Sequence, residues 1–501
     1  MPDPNKIYHY SGASKTDIDG RNITEHRALL RFVKLIDVIL VSIPFILAWY
    51  YFYSHDMIVS YYRLGNIMIS FLYILLYYLI SHLYHGYLIH INSISEIIFS
   101  QTISAILSNF VMYIVIWLLI FKLPNPLALL LALGIQIIAI ILWSLFSHKW
   151  YFHHFPPKKA VIIYDEKHDL DNLTRESSMM VHFDVKSIVN IHDFTFDSEN
   201  ASMNASMEDE LTDQKISQFI GDSEVVFLSG LHSHERNQII KYCVANDIVA
   251  YTLPRIGDII MQGAEKLHLA YLPVLSVRRY NPTPEYLFIK RLFDILISII
   301  FIVLLSPLMI VLALIIRSDG GPAIYKQERL TKDGRIFRCY KFRSMRVDAE
   351  KDGIARLSTG ENDPRITKIG RFMRSHRLDE LPQLFNIIKG DMSLVGPRPE
   401  RPEIAATYKE ILPEFDLRLQ CKCGLTGYAQ VYGKYNTTPY DKLLFDLMYI
   451  SKPSFVEDFK IILATFKILF MKDSTEGVAE GQTTASAESL VNTEDRDAEK
   501  M

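Results

Sequence analysis

The sequence reads as a membrane protein in several parts: an N-terminal four-helix transmembrane bundle, a Rossmann-like α/β domain, then a re-entrant membrane helix leading into a small α/β catalytic domain. Three observations carry that reading. Four apolar runs, each roughly 17–20 residues, occupy the first third of the chain. β-rich runs alternate with a helical pattern between 156 and 280. The stretch 317–404 crowds Lys, Arg, Asp and Glu, although the 501 residues are 50% hydrophobic and carry a net charge of only −3. Such a partition argues for a membrane part and a water-facing part with an anionic partner.

The apolar runs are Leu35–Tyr53, Ile67–Leu83, Ile103–Phe121 and Leu127–Phe146. Trp49, Tyr50, Tyr51, Trp143 and Trp150 lie near their ends, as an aromatic belt does. Lys and Arg concentrate in the tail 1–30 and after the fourth run, whereas the first and third loops offer only Arg63 and Lys122. The bundle 31–150 is therefore expected to keep both ends in the cytoplasm. Some thirty polar residues precede the first run, so no cleavable signal peptide is expected. The cysteines, Cys243, Cys339, Cys421 and Cys423, lack zinc spacing and read as reduced thiols.

In 156–280, "AVIIY" (160–164), "VVFLS" (225–229) and "VAYTL" (249–253) read as strands, with a helix over 234–247. No glycine follows "AVIIY" to let a pyrophosphate approach the backbone, so a structural or assembly module is expected. Ile295–Ile316 is uncharged and long enough to span. Ser306 and Pro307 sit at its midpoint, and a mid-helix proline removes a hydrogen bond and kinks the helix. Basic residues flank both ends: Lys290, Arg291 and Arg317. These features favour a re-entrant helix-break-helix over 287–317, with a fifth spanning helix as the rival. A catalytic domain follows over 318–472. It ends in an amphipathic helix (454–472) with capping-box spacing at Ser454 and Glu457. The acidic tail 473–501 reads as disordered.

The chemistry concentrates in "LDELPQLFNIIKGD". Adjacent Asp379 and Glu380 open an expected helix, with Pro382 near its first position. As surface residues they are an ordinary helix start. As functional residues they are a nucleophile beside a metal-binding or proton-handling carboxylate, and a divalent cation relieves their repulsion. In "GPRPE" two prolines fix the backbone around Arg398, which reads as an arginine fork aimed at phosphate oxygens. The basic stretch 325–345 suits a phosphate-rich small substrate better than nucleic acid. Arg365, Lys368, Arg371 and Arg374 extend it, and "GLTGYAQVYG" (424–433) supplies glycines for close backbone approach.

Over 286–470 the chain resembles the polyprenyl-phosphate hexose-1-phosphate transferases, the monotopic phosphoglycosyl transferases of bacterial capsule and exopolysaccharide assembly. The resemblance runs in order through "KRLFD" (290–294), Ser306-Pro307, "KFRSM" (341–345), "LDELPQL" (378–384), "SLVGPRPE" (393–400) and "GLTGYAQV" (424–431), ending with Lys442, Asp446 and Tyr449. It implies transfer of a sugar phosphate from a UDP-sugar to undecaprenyl phosphate at the cytoplasmic face of the bacterial inner membrane. Asp379 would be the nucleophile, Glu380 its partner, and both would hold Mg²⁺. Lys341, Arg343, Arg374, Gln383 and Arg398 would bind phosphate or substrate. A homodimer is compatible with the large Rossmann-like module. A UDP-releasing glycosyltransferase and a non-catalytic assembly scaffold are the alternatives, and the sugar stays open between glucose, galactose and others. Cys423 stands where the family has proline, which places a thiol near the site.

Overall fold

Uncharged runs become long helices, and the polar residues inside them turn toward one another. The computed structural model describes residues 16–56, 63–89, 92–165, 183–193, 213–269, 271–280, 282–318, 320–346, 365–433 and 437–469. Residues 1–15 of the tail 1–30, and all of 473–501, lie outside the described residues. Helices α1 (Thr16–Ala48), α2 (Arg63–Leu83), α3 (Ile94–Ile120) and α4 (Leu127–His154) share a core of Phe45, Trp49, Tyr73, Tyr77, Met112, Ile116 and Ile140. Helix α3 begins well before the apolar run that announces it. Ser93 caps it in a capping box with Glu96, and the early Ser100, Gln101 and Ser104 are buried. One side chain ties all four helices: Gln136 of α4 donates to Val41 O of α1 (2.8 Å) and Tyr73 OH of α2 (2.7 Å), and accepts from Asn109 of α3 (2.7 Å).

Strands β1 (Lys158–Tyr164), β2 (Phe183–Asn190), β3 (Val225–Ser229) and β4 (Val249–Thr252) form a parallel sheet in the order β2-β1-β3-β4. Helices α5 (Asp213–Ile220) and α6 (Ser233–Ala245) pack Ile216, Phe219, Ile239 and Cys243 against Val161, Ile163, Val226 and Leu228. At the carboxyl end of β1, where a phosphate loop would sit, Asp165 pairs with His192 at 2.6 Å.

The chain divides into two compact units between Leu253 and Pro254. Residues 254–280, grouped by sequence with the Rossmann-like domain, therefore fold with the second unit. There α7 (Ile256–Gln262) gives Ile259 to the core, and β5 (Glu265–Leu269) pairs antiparallel with β6 (Leu272–Ser276).

Helix α8 (Pro284–Arg317) follows, started by the Thr283 cap. The sequence expects it to break at Ser306-Pro307. The structure carries one helix of 34 residues through that point, with Pro307 inside it and Ser306 Oγ donating to Val303 O at 2.8 Å. A proline deletes one N–H and bends a helix without ending it when the flanking turns still bond. Straightened, such a helix is about 51 Å long, yet the same unit holds both its ends. Near the start, Arg291 donates to Ile387 O (2.6 Å) and Ile388 O (2.8 Å), and Lys290 pairs with Asp458 (2.9 Å). Near the end, Met309, Leu312 and Ile316 pack with Phe342 and Met373. Phe288, Ile300, Val303, Leu304 and Leu314 are exposed. Helix α8 and α1–α4 are the five described helices long and apolar enough to cross a membrane.

The remaining elements of this unit are β7 (Ile324–Leu330), β8 (Ile336–Phe342), α9 (Lys368–Ser375), α10 (Gln383–Lys389), β9 (Ser393–Val395), α11 (Pro402–Ile411), β10 (Gly424–Thr426), α12 (Pro439–Ser451) and α13 (Phe455–Leu469). β7 and β8 pair antiparallel, β9 and β10 parallel. The cap expected at the last helix is present: Glu457 N donates to Ser454 Oγ at 3.2 Å.

Candidate active site

The acidic pair is presented by a turn, not by a helix start. Arg377 adopts the left-handed conformation (φ +53°), Leu378–Glu380 form a single 3₁₀ turn, and α10 begins only at Gln383. A non-glycine residue in that conformation is strained, and such strain clusters where a loop is held for use. The reversal turns both carboxylates toward β8 and the Pro-Arg-Pro turn. Lys341 Nζ lies 2.8 Å and Arg398 Nη2 3.2 Å from the same Glu380 oxygen, Oε1. Asp379 is 8% exposed, and no hydrogen bond among the described residues ties down its carboxylate. Arg374 and Lys341 supply positive potential around it.

The two neighbours differ in acidity. Burial resists ionisation of Glu380, but Lys341 and Arg398 outweigh it and hold that carboxyl well below the usual range. Burial pushes Asp379 up; Lys341 pulls against that rise, while the charge of Glu380 adds to it. One carboxylate thus holds the cations, and the other stays more basic and uncommitted, a division typical of paired functional acids.

Arg398 is aimed from behind. Arg418 Nη2 donates to Arg398 O (2.8 Å), Arg329 Nη1 to Pro399 O (3.0 Å), and Leu330 N to Glu400 O (3.0 Å). Arg418 in turn pairs with buried Asp446 at 2.7 Å, whose pKa burial raises to about 6 against the pull of Arg418. In front, Gly396 N donates to Thr426 O and Gly424 N to Pro397 O, each at 2.9 Å. A Cβ on Gly424 would overlap the backbone of Gly396, which is why the glycines of "GLTG" are needed.

The other expected residues divide. Lys341 and Arg398 contact Glu380, and Arg374, whose Nε donates to Ser344 Oγ at 3.1 Å, adds positive potential at Asp379; Gln383 is buried on the first turn of α10. Arg343 is buried and donates to Ile316 O at 2.8 Å, securing the end of α8. Ser306 and Pro307 lie inside α8. Cys423 is buried, and burial pushes its thiol up to about 12, so it is no reactive group. Its N–H, which a proline would lack, finds Thr331 Oγ1 at 3.4 Å. Sequence reasoning missed Arg377, Arg329 and Arg418; only the positive φ distinguishes the first, and no spacing marks the others.

Among the described residues no group of three or more His, Cys, Asp or Glu side chains forms a metal cage. Mg²⁺ needs none, because it binds through one or two carboxylates and substrate phosphates while keeping its waters. The unbound carboxylate of Asp379 fits that donor set. Glu380, with Oε1 already taken by two cations, is the poorer ligand of the two.

Residues 285–472 match the family described as bacterial sugar transferase. Over 200 residues the chain is 43% identical to an undecaprenyl-phosphate galactose phosphotransferase of Salmonella typhimurium, a match covering 37% of this chain and 41% of that protein. It is 45% identical over 197 residues to a galactosyl transferase of Streptococcus agalactiae, covering 37% and 43%. It is 48% identical over 138 residues to a putative undecaprenyl-phosphate N-acetylgalactosaminyl 1-phosphate transferase of Bacillus subtilis, covering 27% of this chain and 76% of that protein. The chain thus spans less than half the length of the first two of these relatives.

Proposed function

This chain belongs to the bacterial sugar transferase family, and from that premise we propose that it moves a hexose-1-phosphate from a UDP-sugar to undecaprenyl phosphate, initiating a surface polysaccharide. The observation that carries the reading is the split pair, with Glu380 binding Lys341 and Arg398 while Asp379 stays uncommitted among cations. A carboxylate oxygen of Asp379 attacks the β-phosphorus of the UDP-sugar. The bond from that phosphorus to the bridging oxygen breaks, and UMP departs with the electron pair. An oxygen of undecaprenyl phosphate then attacks the same phosphorus, and the Asp379 carboxylate is released. Lys341 and Arg398, fixed by Glu380, meet the developing charge on the phosphate oxygens. Mg²⁺, when bound, supplies further positive charge against the pyrophosphate.

The site must meet a water-soluble nucleotide and a membrane phosphate at one interface. The way one unit grips α8 at Lys290–Arg291 and again at Ile316 supports an entry and exit on the same, cytoplasmic, side. A straight crossing would carry the second grip to the far side of the bilayer.

The test is trapping. Purified chain with radiolabelled UDP-galactose or UDP-glucose, EDTA-treated or supplied with Mg²⁺, and without lipid acceptor, should acquire an alkali-labile label only with Mg²⁺. Peptide mapping should place it on Asp379, and Asp379→Asn should lose both label and turnover, by roughly 10³-fold or more. Label elsewhere, or release of UDP in place of UMP, would overturn the mechanism.

A further inference from the structure

Strand β8 carries Lys341 and, among the described residues, has a strand, β7, on one edge only. Its other edge would leave main-chain groups unpaired, and buried groups of that kind are costly. Among the groups on that edge are the N–H of Tyr340 and the C=O of Arg338, two residues apart on one side of the strand. Both are taken by a single side chain. Tyr340 N donates to Asn386 Oδ1 at 2.9 Å, and Asn386 Nδ2 donates to Arg338 O at 2.8 Å. Asn386 is fully buried (0% exposed) on α10. Its carboxamide offers one acceptor and one donor at the spacing of a peptide group, so it serves as a one-residue strand partner.

The position of this clamp matters more than its energy. Tyr340 adjoins Lys341, and Asn386 is six residues beyond Glu380 through the Pro382 turn. The Lys341–Glu380 contact of 2.8 Å and the Asn386–Tyr340 contact of 2.9 Å therefore close a small ring. Two fixed points hold β8 against the segment bearing both carboxylates. Helix α10 is itself anchored, since Arg291 donates to Ile387 O and Ile388 O. We propose that Asn386 is a positioning residue: its carboxamide sets the distance of Lys341 from Glu380, and so leaves Asp379 uncommitted; the catalytic half of this inference rests on the function proposed above.

The test uses the full chain in detergent. Trace acetic anhydride reports how tightly each lysine amine is held, and Lys341 is read relative to exposed Lys332. In Asn386→Ala the relative labelling of Lys341 should rise toward that of Glu380→Gln. Asn386→Asp, which keeps the acceptor for Tyr340 N–H, should fall between, and serves alone if the alanine variant does not fold. Leu384→Ala, on the same helix, lowers the thermal midpoint but should leave Lys341 labelling unchanged. In Asn386→Ala, kcat should drop roughly 10- to 100-fold with little change in KM, because misplacement by an ångström has costs of that order. Unchanged Lys341 labelling overturns the clamp. Raised labelling with unchanged kcat overturns its catalytic half. A wild-type chain that turns over no UDP-sugar sinks the functional proposal instead, and the labelling still decides the clamp.

Discussion

Helices α1–α4 and helix α8 are all long and apolar enough to cross a membrane but hide their polar groups differently. The four helices satisfy one another: Gln136, Asn109, Tyr73 and the Val41 carbonyl form one uncharged network to which each helix contributes. Within helix α8 Ser306 Oγ donates to Val303 O, but the charged groups near its start find their partners elsewhere. Lys290, Arg291 and Asp294 find Asp458, the Ile387 and Ile388 carbonyls, and the N–H of Leu394, all on later elements of the same unit. A helix group that carries its own polar partners can leave water behind, because lipid offers none. Helix α8 instead takes its charged partners from the elements that follow it.

The sharpest way to break this contrast is topological. Single cysteines at exposed positions 285, in the first turn of α8, and 320, just past its end, should share the same accessibility to an impermeant thiol reagent in intact cells. Opposite accessibility would make α8 a spanning helix. The next largest effect lies in the site. Burial and the charge of Glu380 raise Asp379, so activity that needs its anion fails on acidification at a higher pH than for an ordinary carboxylate. Glu380→Gln removes the repulsion and frees Lys341 and Arg398, so the acid limb of kcat/KM should move to lower pH while turnover falls by roughly 10²-fold. A pH–rate series reads both; an unmoved limb would show that another group governs it. Asp294→Ala leaves the buried N–H of Leu394 without its acceptor at 2.9 Å. That should cost about 1–3 kcal/mol by denaturant titration, and Asp294→Asn should recover most of it. The smallest effect is in the bundle: Gln136→Leu should lower resistance to unfolding in detergent by about 1 kcal/mol, since membrane hydrogen bonds are individually weak. A loss as large as at Asp294 would erase the distinction between the two kinds of helix.

The long apolar runs and the parallel α/β sheet were legible because hydropathy and β-rich runs are local signals. The start of α3 was not, since Ser100, Gln101 and Ser104 lower hydropathy yet face the bundle interior. Strand β2 escaped notice because it is mostly exposed or half-buried, with charge at Asp184 and Lys186. Within the site, Asp379, Glu380, Lys341 and Arg398 stood out as paired charge and rigid turns. Arg343 shares a motif with Lys341, but β8 ends at Phe342, so strand alternation no longer governs where Arg343 points. Arg418, Asp458 and Asn386 act across 20 to 172 residues of sequence, a range in which spacing carries no information.

Arg377 narrows the mutational routes open to this site. Its backbone lies at φ +53°, a conformation that glycine and asparagine occupy most easily. Neither of those side chains carries a positive charge, and Glu380 sits close enough to feel the one that is there. A change that relaxes the backbone therefore weakens the electrostatics, and one that keeps the charge, such as lysine, keeps the strain. Drift at position 377 has no downhill neighbour, so directed evolution aimed at the donor sugar should gain more from residues lining the approach than from this corner.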